Sequence, residues 1–153
     1  MLNQICENIC NYFIKERYDG RFEIADGMIS LPLLDGQWFL IRGSALNDGM
    51  YTYHDTGIKS DDDKTLAVGL KDESWAGTIC ALAVPPAVTA LSTEIDAWVV
   101  ANAEALNSPY SSESVLGVYS YSKQSGGHGA GGTVGWQDVF ADRLKRWRKV
   151  AFD

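Results

Sequence analysis

The sequence predicts an α+β protein: a helical-bundle core of about four helices, a small inserted antiparallel β-meander and an extended C-terminal arm. Three observations predict it. Apolar residues recur at three- and four-residue intervals in several separate stretches, which is the helical period. After the first of these the period falls to two, punctuated by Asp-Gly and Asn-Asp-Gly turn signals. Beyond residue 107, a Ser/Tyr-rich run and a glycine-rich gap set a last aromatic, basic helix apart. The expected division is therefore 1–107 for the helical core, with the meander at about 21–53 or extending to 70, and 108–153 for an assembly arm.

Taken in order, 2–17 reads as an amphipathic helix, with Leu2, Ile5, Cys6, Ile9, Cys10 and Phe13 on one face and Asp19-Gly20 as its stop. Phe22 and Ile24 then alternate with charges, and Asp26-Gly27 signals a hairpin. The return strand runs over 28–34, with Pro32 marking an edge or bulge. Trp38-Phe-Leu-Ile41 is apolar on both faces, so it belongs in the middle of the sheet, covered twice. Asn47-Asp48-Gly49 turns the chain into Met50–Tyr53, and 55–64 reads as a solvated loop. A further strand fits 65–70. Asp72 looks like an N-cap for a short helix carrying Trp75, Ile79, Cys80 and Leu82. Pro86 suits the first turn of the longest helix, whose stripe is Val88, Leu91, Ile95, Trp98, Val99 and Leu106. In 115–121, Val115, Tyr119 and Tyr121 share one strand face and Leu116 and Val118 the other. Such a strand needs an edge to pair with; pattern alone allows this chain's own sheet or a neighbouring subunit's. The final helix puts Trp136, Phe140, Leu144 and Trp147 on one face and crowds Arg143, Lys145, Arg146, Arg148 and Lys149 elsewhere.

Charge is distributed unevenly over the 153 residues. Residues 1–135 carry 8 basic and 17 acidic side chains, net −9, and 136–153 carry 5 and 3, net +2, giving −7. An acidic body with a basic end suits docking on an acidic protein surface or on a second copy. It argues against general nucleic-acid binding, which needs a broad basic face. No apolar run approaches the roughly 20 residues of a membrane span, and no secretion signal is visible, so a soluble protein made in the cytoplasm is expected. Three cysteines without a Cys-x-x-Cys pair read as reduced, small hydrophobes.

The search for chemistry returns little. His128 lies in the glycine gap, where nothing fixes its ring. His54, beside Asp55, reads as a surface residue, and a rival reading as a small intracellular hydrolase would use it with a nearby acid. Asp61-Asp62-Asp63 lacks the alternating ligands and distal Glu of a calcium loop. The glycine cluster lacks the Gly-Lys-Ser/Thr of a phosphate loop, and zinc spacing is absent. No catalytic, metal or cofactor site is expected, and the chain is not read as an enzyme. What is unusual is aromatic content outside the core periods: Tyr110, Tyr119, Tyr121, Trp136 and Trp147. Tyrosine, tryptophan and arginine are enriched where protein surfaces dock. Val115 and Val118 on the strand, with Phe140, Arg143, Arg146 and Arg148 on the last helix, complete the candidate interface. The competing reading is that Trp136, Phe140 and Trp147 pack on this chain's own long helix. A third function class is a monomeric regulatory protein that docks by the basic helix alone.

Several motifs carry a resemblance. Asn107-Ser-Pro-Tyr-x-Ser-Glu-Ser, Gly117-x-Tyr-Ser-Tyr-Ser122 and Trp136-x-x-Val-Phe-x-x-Arg-Leu-x-x-Trp-Arg-Lys149 follow one another. Upstream stand Phe22-x-Ile-x-x-Gly-x-Ile-x-Leu-Pro-x-Leu-x-Gly-Gln-Trp-Phe39, Gly43-Ser-x-x-Asn-Asp-Gly49 and Ala81-Leu-Ala-Val-Pro85. Together they resemble the head-to-tail connector, or adaptor, proteins of long-tailed bacteriophages of Gram-positive bacteria. The resemblance implies a structural virion protein in the neck: a ring subunit, usually of a dodecamer, under the portal. It would receive the tail or a stopper or tail-completion protein and continue the DNA channel without sequence-specific contact. It further implies that Tyr119, Tyr121, Trp136, Arg143, Trp147 and Arg148 carry the subunit or portal contact. The simplest adaptors are helical bundles, and the meander at 21–53 departs from them.

Overall fold

Residues 1–61, 69–107 and 134–150 are described by the computed structural model. Their elements are α1 (Leu2–Asn8), β1 (Ile14–Ala25), β2 (Met28–Ile29), β3 (Trp38–Arg42), β4 (Gly49–His54), β5 (Gly57–Ser60), β6 (Glu73–Leu82), α2 (Pro86–Ala101), α3 (Ala103–Asn107), α4 (Trp136–Val139) and α5 (Ala141–Leu144), with a 3-10 turn at Lys145–Trp147. The strands form one antiparallel sheet in the order β2-β1-β6-β3-β4-β5. The sheet curls until side chains from its two edge strands, Ile29 and Ile58, meet in one cluster with Phe39, Ile41, Trp75 and Ile79. It is thus a nearly closed, barrel-like sheet with short helices on its outside. This corrects the expected bundle of about four helices with a small inserted meander: the sheet is the body, and only α2 among the described helices exceeds seven residues.

Three local reasons account for the difference. α1 ends at Asn8, because Cys10 and Phe13 take left-handed backbone conformations (φ 53° and 54°) that no helix continues through. The residues expected to finish that helix and stop it instead open β1, which runs through Asp19-Gly20. β6 replaces the expected short helix. Its Trp75, Ile79 and Ala81 belong to the cluster inside the curl, while Cys80 and Leu82 join the cluster under the helices. Strand alternation thus satisfies both faces at once. Finally, the loop expected at 55–64 contains β5, whose Ile58 is fully buried.

Other expectations hold. Asp26-Gly27 makes the hairpin between β1 and β2, both residues having positive φ (54° and 74°) as a type I′ turn requires. β3 is central, between β4 and β6, with Phe39 and Ile41 inside the curl and Leu40 under the helices. Pro86 opens α2, which buries Val88, Leu91 and Ile95. The last stretch keeps its predicted face although its backbone breaks into α4, α5 and the 3-10 turn. Trp136, Phe140 and Leu144 are buried against α1, α2 and the outer face of the sheet. Each such side chain contributes roughly 1.5–3 kcal/mol on burial.

Polar contacts fasten the open ends. Asp61 is buried and accepts hydrogen bonds from the Met1 amino group and the Leu2 and Asn3 amides at 3.1, 3.3 and 2.9 Å, so a carboxylate sixty residues downstream caps α1. In the Gly43–Gly49 motif, Ser44 donates to Glu73 while its own hydroxyl accepts from the Leu46 and Asn47 amides. Asn47 trades two hydrogen bonds with the Lys71 backbone, both within 2.9 Å.

Close approach of β6 to β3 yields a prediction. A Cβ at Gly77 would stand 2.4 Å from the Arg42 carbonyl oxygen and 2.9 Å from Trp75 Nε1. The first obstacle is paired backbone that cannot step aside. Gly77→Ala is expected to destabilise the protein by about 1–3 kcal/mol, seen as a lower urea midpoint at unchanged slope.

Candidate functional site

The sequence-predicted interface residues divide into three groups. Tyr110, Val115, Val118, Tyr119 and Tyr121 lie outside the described residues, as do His128 and the glycine gap. Trp136 and Phe140 are buried in the protomer's own core, Phe140 meeting Trp98 of α2 edge-on at 6.3 Å. Arg143, Arg146, Trp147 and Arg148 remain at the surface, Trp147 half-buried. Arg143 holds Glu94 of α2 in a two-pronged ion pair, at 2.6 and 3.0 Å, and so staples α5 to α2.

Arg146, Trp147 and Arg148 come together with Lys149 and Val150 along one wall of a cleft of about 590 Å³. The opposite wall is the link between α1 and β1, from Cys10 to Ile14. Two hydrogen bonds tie the walls: the Lys149 amide donates to Ile9 O (2.9 Å), and Asn11 Nδ2 donates to Trp147 O (3.0 Å). The left-handed turns at Cys10 and Phe13 bring the second wall around, and Phe13 meets the Trp147 ring edge-on at 6.1 Å. Arg146 lies over the outer face of Trp147 at 4.8 Å. Among the described residues, Arg146, Arg148 and Lys149 make no ion pair, and no carboxylate lines the cleft. Sequence reasoning placed the cations but missed Cys10–Ile14, because those positions continue the helical spacing of α1.

A second, smaller pocket of about 270 Å³ lies between β4–β5 and the start of α2, lined by Trp38, Thr52, His54, Lys59, Ser60, Asp61, Thr89, Ser92 and Thr93. His54 Nδ1 stands 3.5 Å from Asp35 Oδ1, with both side chains substantially exposed. The Ser92 and Thr93 hydroxyls donate to Thr89 O at 2.7 and 3.3 Å, so both are engaged with the helix backbone. Asp61 of the acidic triplet caps α1, and Asp62 and Asp63 lie outside the described residues. Among the described residues no group of three or more His, Cys, Asp or Glu could hold a metal ion, and no helix is long and apolar enough to cross a membrane.

The three thiols differ sharply. Cys6 is buried, and burial first, then the charges of Asp61 and Glu7, push its pKa up to about 12. Cys80 is also buried, and burial raises it. Cys10 is exposed on the cleft wall.

In comparisons with known proteins, no protein-family model, no curated protein and no solved structure matches this chain.

Two outcomes are expected. At neutral pH a thiol reagent modifies one cysteine of the folded protein, Cys10, and all three after denaturation, which peptide mapping reads directly. The Arg143 hydrogen bonds hold the Glu94 carboxyl below its ordinary 4.5, so this pair's stabilisation is present above that pH and is lost as pH falls through the depressed value. Thermal midpoints of Glu94→Gln should therefore fall less steeply on acidification than those of the unaltered protein.

Proposed function

We propose that the protein is a non-enzymatic, structural subunit of a bacteriophage head-to-tail connector. In this reading it forms a ring, about dodecameric, in the neck of the virion. One side meets the portal, the other meets the tail or a stopper or tail-completion protein, and DNA passes through the lumen without sequence-specific contact. It is made in the host cytoplasm and has no membrane partner. The motifs from 107 to 149 suggest this class, and the observation that carries it is a surface one: an acidic chain presents three cations, Arg146, Arg148 and Lys149, unpaired among the described residues, in one aromatic-walled cleft. The sheet-based body differs from the helical adaptors, so none of their interfaces is transferred.

A second feature supports assembly. β1 pairs with β6 along its length, but on its other side only Ile24 and Ala25 pair with β2. Among the described residues, the outer edge of β1 before Ile24 is therefore open, a place where a strand from a neighbouring subunit would add. Val115–Tyr121 is the segment proposed for that role, and it lies outside the described residues.

The test is class-averaged electron microscopy of the purified protein with and without portal. Rings, or an added layer under the portal, are expected. Free monomers beside an unchanged portal would overturn the proposal. The rival hydrolase reading rests on the His54–Asp35 approach and predicts an activity that His54→Ala abolishes, without a ring.

A further inference from the structure

We infer that the cleft between Cys10–Ile14 and Arg146–Val150 is a docking site for an acidic peptide segment of a partner protein. Its volume of about 590 Å³ is that of a site for a few residues of chain rather than for a single ion. Among the described residues three cations line it and no carboxylate does, in a chain of net charge −7. Local positive charge surrounded by an acidic body selects a short anionic segment and repels a long polyanion, whose flanking phosphates would meet the body's own negative field. Apolar character on the same walls completes the specification. Ile14 and Val150 are exposed large hydrophobics, at 53% and 69%, and Phe13 and Trp147 stand between them. The fitting ligand is an extended stretch of Glu or Asp interrupted by an apolar side chain.

The walls are fixed before the ligand arrives. The Lys149–Ile9 and Asn11–Trp147 hydrogen bonds hold them together, so binding does not have to order them. This deepens the connector reading, on which it rests only for who the partner is.

Cys10, the exposed thiol on the cleft wall, provides the readout. Its alkylation rate is measured in the full-length protein with a synthetic peptide of roughly eight residues, mostly Glu and Asp with one Leu. Inorganic phosphate and a single-stranded oligonucleotide of matched charge are run in parallel. The peptide is expected to slow alkylation at least about tenfold at low salt and less at high salt. Phosphate should leave the rate unchanged, and the oligonucleotide should protect more weakly than the peptide. Arg148→Glu combined with Lys149→Glu should abolish protection at an unchanged thermal midpoint; if that variant loses its fold, Arg148→Gln with Lys149→Gln serves, with protection reduced about tenfold. An unaltered alkylation rate with peptide, equal protection in a folded charge variant, or stronger protection by the oligonucleotide would overturn the inference. Peptide protection in a protein that forms no ring would keep the cleft and remove the connector reading; a ring without protection would do the reverse.

Discussion

Strand β6 is the constraint from which the rest of the molecule follows. It is flanked on both sides, by β1 over almost its whole length and by β3 over its second half. From Ile79 to Leu82 it is also covered on both faces. Its inward side chains fill the curl of the sheet, and its outward ones form the floor on which α1, α2, α4 and α5 rest. The two hydrophobic clusters therefore share one backbone. A disturbance that shifts β6 opens both, which is why a single added methyl at Gly77 matters although Gly77 itself belongs to neither cluster.

That double duty also explains what could be read from the sequence. Trp75, Ile79 and Leu82 fall at four- and three-residue spacing and mimic a helical stripe, while Ile79-Cys-Ala-Leu82 is a continuous apolar run that a buried strand also produces. Only tertiary pairing distinguishes the two. β3 posed the same ambiguity in a run of equal length, but one bounded by Asp-Gly and Gly-Ser signals, and there the strand was legible. α1 was legible at its start and not at its end, since the break depends on left-handed backbone at Cys10 and Phe13 that no glycine announces. In the last stretch the face formed by Trp136, Phe140 and Leu144 was correct, but the segmentation into three short turns was not visible. The cations of the cleft could be read one by one; their convergence with Cys10–Ile14 could not, because it joins positions more than 130 residues apart.

Chemically, the surface divides into a part that is self-satisfied and a part that is not. Arg143 is paired with Glu94, Arg17 with Asp19 and Lys145 with Asp142. Exposed pairs of this sort add little stability and offer little to a partner. Among the described residues, Arg146, Arg148 and Lys149 make no such pair. Their position beside aromatic and aliphatic side chains is the combination by which protein surfaces bind one another, with a few large anchors and charge setting orientation and approach.

The anchoring of 134–150 alters what the preceding segment can be. Val134 and Trp136 are buried, α4 lies on α2, and α3 is continuous with the end of α2. Asn107 and Val134, the described positions on either side of 108–133, therefore both belong to the body, one at the end of α3 and the other just ahead of α4. A pull on the chain at Val134 would be resisted there by Val134 and Trp136, whose side chains would have to be dragged out of the core into water.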